Sequence, residues 1–157
     1  MSEKGKQFQR TEDGNLILVT PEERMLLIKE LTARIEYGVI CMIERVDDFG
    51  PIHRYEKLTG FTNEEKDYFY FDFNYGMTVD FAEKVKPCLR SIQNLTEEEQ
   101  FQLGRLIGAA SYNMLKGDYS SLKELLEYVY KNHIDLFGLI PKGLALEAIE
   151  GMYNLKL

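Results

Sequence analysis

The stretch Tyr68-Phe69-Tyr70-Phe71-Asp72-Phe73-Asn74-Tyr75 decides the fold class. Phe69, Phe71, Phe73 and Tyr75 alternate with Tyr68, Tyr70, Asp72 and Asn74, the period of two that marks a strand with one buried face. The phenylalanine set is expected to face the core. Gly76 turns the chain, and Met77 to Phe81 supplies a hairpin partner. Upstream, Val39-Ile40-Cys41-Met42-Ile43 is a continuous apolar run of strand length. Asp47 to Pro51 carries turn chemistry, and Ile52 to Leu58 reads as a second strand closed by Thr59-Gly60. The acidic stretch Asn63 to Asp67 reads as a loop. Downstream, Val85 to Ile92 is extended, and Pro87, which lacks an N–H, argues for a sheet edge.

Helices flank this strand-rich middle. Thr20, Pro21 and Glu23 form an N-cap, a first-turn proline and the second half of a capping box. Leu27, Ile28, Leu31 and Ile35 then recur at helical spacing, and Gly38 suits a left-handed cap, which predicts a helix over 21–37. Thr96 and Glu99 open a second helix, with Phe101, Leu106, Ile107, Ala110 and Met114 as its expected apolar face and Gly117 as its end. Within it, Gly104 and Gly108 stand four apart, each costing about 1 kcal/mol of helix propensity. Their ordinary use is close helix packing. Ser121 and Glu124 start a third helix with Leu122, Leu125, Leu126 and Val129 on one stripe. His133 is expected near its C-terminus, where the protonated form is favoured. A short helical piece is expected around Leu144 to Ile149.

The reading is therefore an α+β fold: an N-terminal helix, a small antiparallel sheet over about 39–92, and two C-terminal helices with a packed C-terminal segment. Residues 1–15 read as a flexible arm, with 16–157 as one domain. Leu16 to Val19 is a short extended piece that adds to a sheet edge or staples the first helix. A chain of 157 residues, 45% of them hydrophobic, buries a core large enough to need no disulfide or metal.

The net charge of −7 opposes binding to the phosphate backbone, and Lys84, Lys86 and Arg90 are too few to reverse it. No nucleic-acid partner is expected. The longest early apolar run, Leu16 to Val19, is too short for a signal peptide or a membrane span. Cys41 and Cys88 have apolar neighbours and read as reduced core thiols. These features predict a cytoplasmic protein with no membrane partner.

Reaction chemistry is sparse. Two histidines and two cysteines share no turn, so no metal or other cofactor is expected. Gly104-x-x-x-Gly108 lies inside a helix and lacks the Lys-Ser/Thr ending of a phosphate loop. Glu64, Glu65 and Asp67 match neither a glycosidase nor a calcium-loop pattern. The aromatic strand could stack bases, yet one face must fill the core and Asp72 sits on the other. The remaining nucleophile–base candidate is His133 with Asp135, a base and its orienting carboxylate.

Several segments carry a resemblance. They are Arg34-Ile35-Glu36-Tyr37-Gly38-Val39, Val85-Lys86-Pro87-Cys88-Leu89-Arg90 followed by Leu95-Thr96-Glu97-Glu98-Glu99, and His133-Ile134-Asp135 with Gly138-Leu139-Ile140-Pro141-Lys142-Gly143-Leu144-Ala145-Leu146-Glu147-Ala148. In order and spacing the chain resembles a family of small uncharacterised proteins encoded on phages and other mobile elements of gut bacteria. Members differ at Cys88, usually aromatic there, at Leu136-Phe137, usually Tyr-Arg, and at Ile149, usually Pro. The resemblance implies a mobile-element setting and no catalytic residues.

The expected function is a non-enzymatic accessory protein acting through a protein partner or self-association. Tyr68 and Tyr70 are its candidate contact residues, with Leu136, Phe137 and Leu139 where that segment is exposed. A virion structural or assembly component is the alternative, and a small enzyme using His133 and Asp135 the second.

Overall fold

A computed structural model describes residues 7–10, 16–47, 49–65, 68–73, 78–80 and 85–153. Strand β1 (Gln7–Arg10) pairs antiparallel with β2 (Leu16–Val19) in a two-stranded sheet of their own. Four residues of the expected arm are thus strand, and among the described residues β2 pairs with β1 and with no strand of the main sheet.

Helix α1 spans Pro21–Ala33. Its N-terminus has both halves of the capping box, with the Glu23 N–H donating to Thr20 Oγ1 (3.1 Å) and the Thr20 N–H to Glu23 Oε1 (3.3 Å). The helix stops four residues short of the expected Tyr37. A 3₁₀ turn, Ile35–Tyr37, replaces the last turn, and Gly38 closes it at φ +67°, a conformation that glycine adopts without a Cβ clash.

The chain then builds a six-stranded sheet in the order β6-β5-β4-β3-β7-β8. Its strands are β3 (Ile40–Asp47), β4 (Gly50–Glu65), β5 (Tyr68–Phe73), β6 (Thr78–Asp80), β7 (Val85–Leu89) and β8 (Leu146–Glu147). β3 and β4 form a tight hairpin with Asp47 opposite Gly50. β4 does not end at Thr59-Gly60, nor is Asn63 to Glu65 a loop. The strand passes from β3 to β5 at Leu58 through a register shift between Leu58 and Gly60. Thr59 is the extra residue, and its hydroxyl donates to the Asp72 carbonyl (3.0 Å). Such a bulge bends a strand and lets it serve two partners. The alternation in β5 holds, with Phe71 and Phe73 both buried.

β7 is not the edge strand. Its outer side takes up β8, which pairs in parallel with Cys88 and Leu89, so the sheet is mixed. The expected helix around Leu144 to Ile149 is this strand with its flanking turns. Leu89 turns its carbonyl toward the C-terminal segment and accepts from the Ala148 N–H (2.7 Å). By alternation Pro87 faces the same way, so its missing N–H removes nothing from the β3 ladder.

Helices α2 (Glu97–Met114) and α3 (Ser120–Lys131) form an antiparallel hairpin. Thr96 and Glu99 make the α2 capping box, and Gly117 ends the turn at φ +80°. Ser121 does not cap α3. The N-cap position is Tyr119, which makes no side-chain cap, and Asp118 just before it accepts at Oδ1 from the Ser120 N–H (3.0 Å) and hydroxyl (2.8 Å).

Two apolar clusters result. In one, Leu27, Ile28 and Leu31 of α1 pack on Cys41, Ile43, Leu58, Phe71, Phe73, Val85 and Leu89 of the sheet. In the other, Leu103, Leu106 and Ala110 of α2 meet Leu125 and Val129 of α3. The C-terminal segment joins them, giving Ile134 to the helical cluster and Leu139, Leu144 and Ala145 to the sheet cluster. Cys41 and Cys88 are buried free thiols. Burial pushes Cys41 up and Cys88 to about 11, which leaves neither as a thiolate nucleophile near neutrality. Among the described residues, no helix is long and apolar enough to cross a membrane.

Candidate functional site

Where α1 meets the C-terminal segment, polar groups are buried together. Glu30 on the inner face of α1 and Arg34 at its C-cap lie one turn apart, and both are almost wholly inaccessible. The Arg34 guanidinium donates to Glu30 Oε2 (2.5 Å), to the Glu30 carbonyl (3.0 Å) and to the Ile134 carbonyl (2.7 Å). Its charge also sits 4.9 Å from the Tyr130 ring centre. Burial raises the Glu30 carboxyl above its ordinary range, against the pull of Arg34.

His133 and Asp135 border this cluster but do different work. His133 has a left-handed backbone (φ 54°) and stacks on Tyr153 at 3.9 Å between ring centres. Burial, with Arg34 and Arg90 nearby, brings its imidazole down to about 3. It is therefore neutral, not the protonated helix-end cation that the sequence suggests, and it has little proton affinity for base catalysis near neutrality. Asp135 gives Oδ1 to the Leu139 N–H (2.7 Å) and Oδ2 to the Ile140 N–H (2.9 Å). Neither side chain lines the clefts described below. Tyr153, on which His133 stacks, fills a gap in the sheet: its hydroxyl accepts from the Ile40 N–H (2.9 Å) and donates to the Cys88 carbonyl (2.7 Å). Among the described residues, no group of three or more His, Cys, Asp or Glu side chains is placed to hold a metal ion.

A pH dependence follows from His133. In the unfolded chain its imidazole takes up a proton near 6.5, in the fold only near 3. Between these values the unfolded state holds more protons, so stability falls as pH falls. Glu99, held low chiefly by its bond to Arg90, loses its contribution in the same direction. Glu30, raised by burial, works against these two, because its carboxyl takes up a proton more readily in the fold. Urea titrations from pH 7 to 4 should show a net loss of about 2 kcal/mol. Asn tolerates the left-handed backbone and does not titrate, so His133→Asn should flatten that profile. An unchanged slope in the variant would assign the loss elsewhere.

A cleft of about 700 Å³ opens between β8 and the start of α2, lined by Arg90, Asn94, Thr96, Glu99, Glu147 and Tyr153 among others. Its polar floor is largely a joint of the fold. Arg90 ties β7 to α2 through Glu99 Oε1 (2.7 Å). Glu147 Oε1 gathers the Ser91 N–H, the Ser91 hydroxyl and the Asn94 amide. A shallower groove of about 420 Å³ lies between the end of α1 and α3, walled by Tyr37, Tyr119, Leu122, Leu126 and Tyr130.

The predicted contact residues divide. The side chains of Tyr68 and Tyr70 lie outside what the structure describes. Leu139 is fully buried in the sheet cluster and is no surface residue, because Asp135 turns the chain inward there. Leu136 packs against the helical cluster, and Phe137 is 44% exposed.

The surface that the sequence reading missed is the outer face of α2. Phe101, Ile107 and Met114 do not pack inward. The buried face is Glu99, Leu103, Leu106 and Ala110. Opposite it, Phe101 (75% exposed), Tyr112 (61%) and Leu115 (89%) project from the molecule. Gly104 and Gly108 share this outer face, and a Cβ built on either meets nothing within 4 Å. The spacing 101, 104, 108, 112, 115 was the available signal: a second helical stripe, out of phase with the leucines.

Comparison with protein-family models, with curated proteins and with solved structures finds no match to this chain.

Proposed function

We propose that this protein is a non-enzymatic accessory protein that works through protein–protein contact, in the phage or mobile-element setting implied by the sequence resemblance. The observation that carries this reading is the outer face of α2, where large apolar side chains stand exposed on a rigid, well-capped helix. Ordering Phe101, Tyr112 and Leu115 against water gains nothing for the monomer, whereas burying them under a partner does. Aromatic side chains are also the residues that most often anchor interfaces. The net charge of −7 fits a protein partner better than nucleic acid.

The test is capture from a lysate of the encoding cells, wild type beside Phe101→Glu/Leu115→Glu. Both positions are exposed, so the variant should keep its fold by circular dichroism. At least one protein, untagged copies of this chain included, should be retained by the wild type and reduced about tenfold or more by the variant. Indistinguishable capture by the two would remove α2 as the contact surface.

A further inference from the structure

The outer face of α2 fits one partner in particular, and we infer that it pairs antiparallel with the same face of a second copy of this chain. The inference rests on the reading above and narrows it. Three features of the helix converge on it.

The first is charge. The exposed N-terminal turn carries Glu97 and Glu98, and Lys116 follows the C-terminus. Between these ends the outer face carries Arg105 as its charged residue. A two-fold axis passing between Leu106 and Ile107 sets Glu97 against the partner's Lys116, and the reverse. A parallel pairing would set Glu97 against Glu97 and Lys116 against Lys116. Antiparallel pairing also opposes the two helix dipoles.

The second is register. The same axis places Phe101 against the partner's Tyr112 and Arg105 against the partner's Gly108, with Gly104 one turn from the centre. The two aromatic side chains meet toward the ends, Leu115 lies beside the partner's Glu98, and at the centre each Arg105 crosses a glycine rather than a bulky side chain. That lets the axes approach more closely than the usual 8–10 Å. Arg105 already turns toward Gln102 on its own helix (3.2 Å), which clears the centre.

The third is the glycines themselves. An exposed helix interior gains stability from almost any replacement of glycine, and among the described residues a Cβ on Gly104 or Gly108 would meet nothing within 4 Å. Among the described residues, no contact requires them. A closely approaching second helix does. One helix pair about 27 Å long makes a small interface, so the dimer should be of micromolar strength.

The experiment is sedimentation of the purified full-length chain over about 1 to 100 µM. The wild type should pass from monomer to dimer within that range. Gly108→Gln should raise the melting temperature of the monomer and weaken the dimer about tenfold or more, a combination that misfolding cannot produce. Glu97→Lys should weaken the dimer about threefold, and Glu97→Lys/Lys116→Glu should restore it. A monomer throughout, a dimer indifferent to Gly108→Gln, or a charge exchange that restores nothing would overturn the inference. None of these results bears on capture of a different protein by Phe101 and Leu115, which the lysate comparison reads separately.

Discussion

Replacing Arg34 with Met should lower the free energy of unfolding by about 3–5 kcal/mol, read from urea titration at neutral pH. Arg34 is fully buried, and its guanidinium is the counter-charge of the buried Glu30 carboxylate. Removing it strands that carboxylate in the interior and orphans the Ile134 carbonyl, the point where α1 holds the C-terminal segment. The pair is not fully satisfied even in the intact protein, since Glu30 Oε1 and Arg34 Nε have no hydrogen-bond partner. Its desolvation is therefore imperfectly repaid by pairing. The double variant Glu30→Met/Arg34→Met should recover most of the loss for that reason. Acidification should also narrow the gap between Arg34→Met and wild type, because burial already raises the Glu30 carboxyl and the loss of Arg34 raises it further. A raised folded value means that the protonated, stabilised form dominates at lower pH. A double variant as unstable as the single one would show that Arg34 acts through packing rather than charge.

This pair also shows where the sequence stops being readable. Capping boxes are local, so Thr20 with Glu23 and Thr96 with Glu99 could be placed from spacing alone, and both form. The alternation of β5 is local too. What decides the rest is contact between distant segments. Nothing local shows that the charged Glu30, Arg34 and Glu99 lie inside, yet each is buried against a partner. In α2 the buried face runs through Glu99, whose charge is absorbed by Arg90 and the Thr96 N–H, and this turns Phe101 and Ile107 away from the core. Pro87 was a sound edge signal for the side of β7 that faces away from β3. Nothing local shows that a two-residue strand from position 146 would cover the end of that side. The shared β4 strand is hidden likewise, since Thr59-Gly60 reads as a stop and is instead the bulge through which the strand continues. Of the candidate contact residues, Phe137 stands exposed, whereas the burial of Leu139 follows only from what Asp135 binds.

Asp135→Ala should cost about 3 kcal/mol, and Asp135→Asn about half of that, by the same titration. The carboxylate receives the N–H groups of Leu139 and Ile140, at 2.7 and 2.9 Å, from a turn that passes through Gly138 at φ +73°. Alanine leaves both donors unpaired, the first of them buried, whereas asparagine retains one acceptor. The loss is not confined to the turn. Leu139 and Leu144 enter the sheet cluster directly after it, and the Leu144 N–H donates to the Leu139 carbonyl (3.0 Å). Freeing the turn therefore loosens the hold of the C-terminal segment on β7 and α1. Amide exchange at Leu139, Ile140 and Leu144 should accelerate in step with the stability loss. The ranking of the two variants separates this role from a chemical one. A carboxylate that orients His133 for catalysis would lose its function in both variants at little cost to folding. A turn-holding carboxylate loses stability in proportion to the donors left unpaired. Equal stability of Asp135→Ala and the wild type would reverse this assignment and return His133 and Asp135 to consideration as a reactive pair.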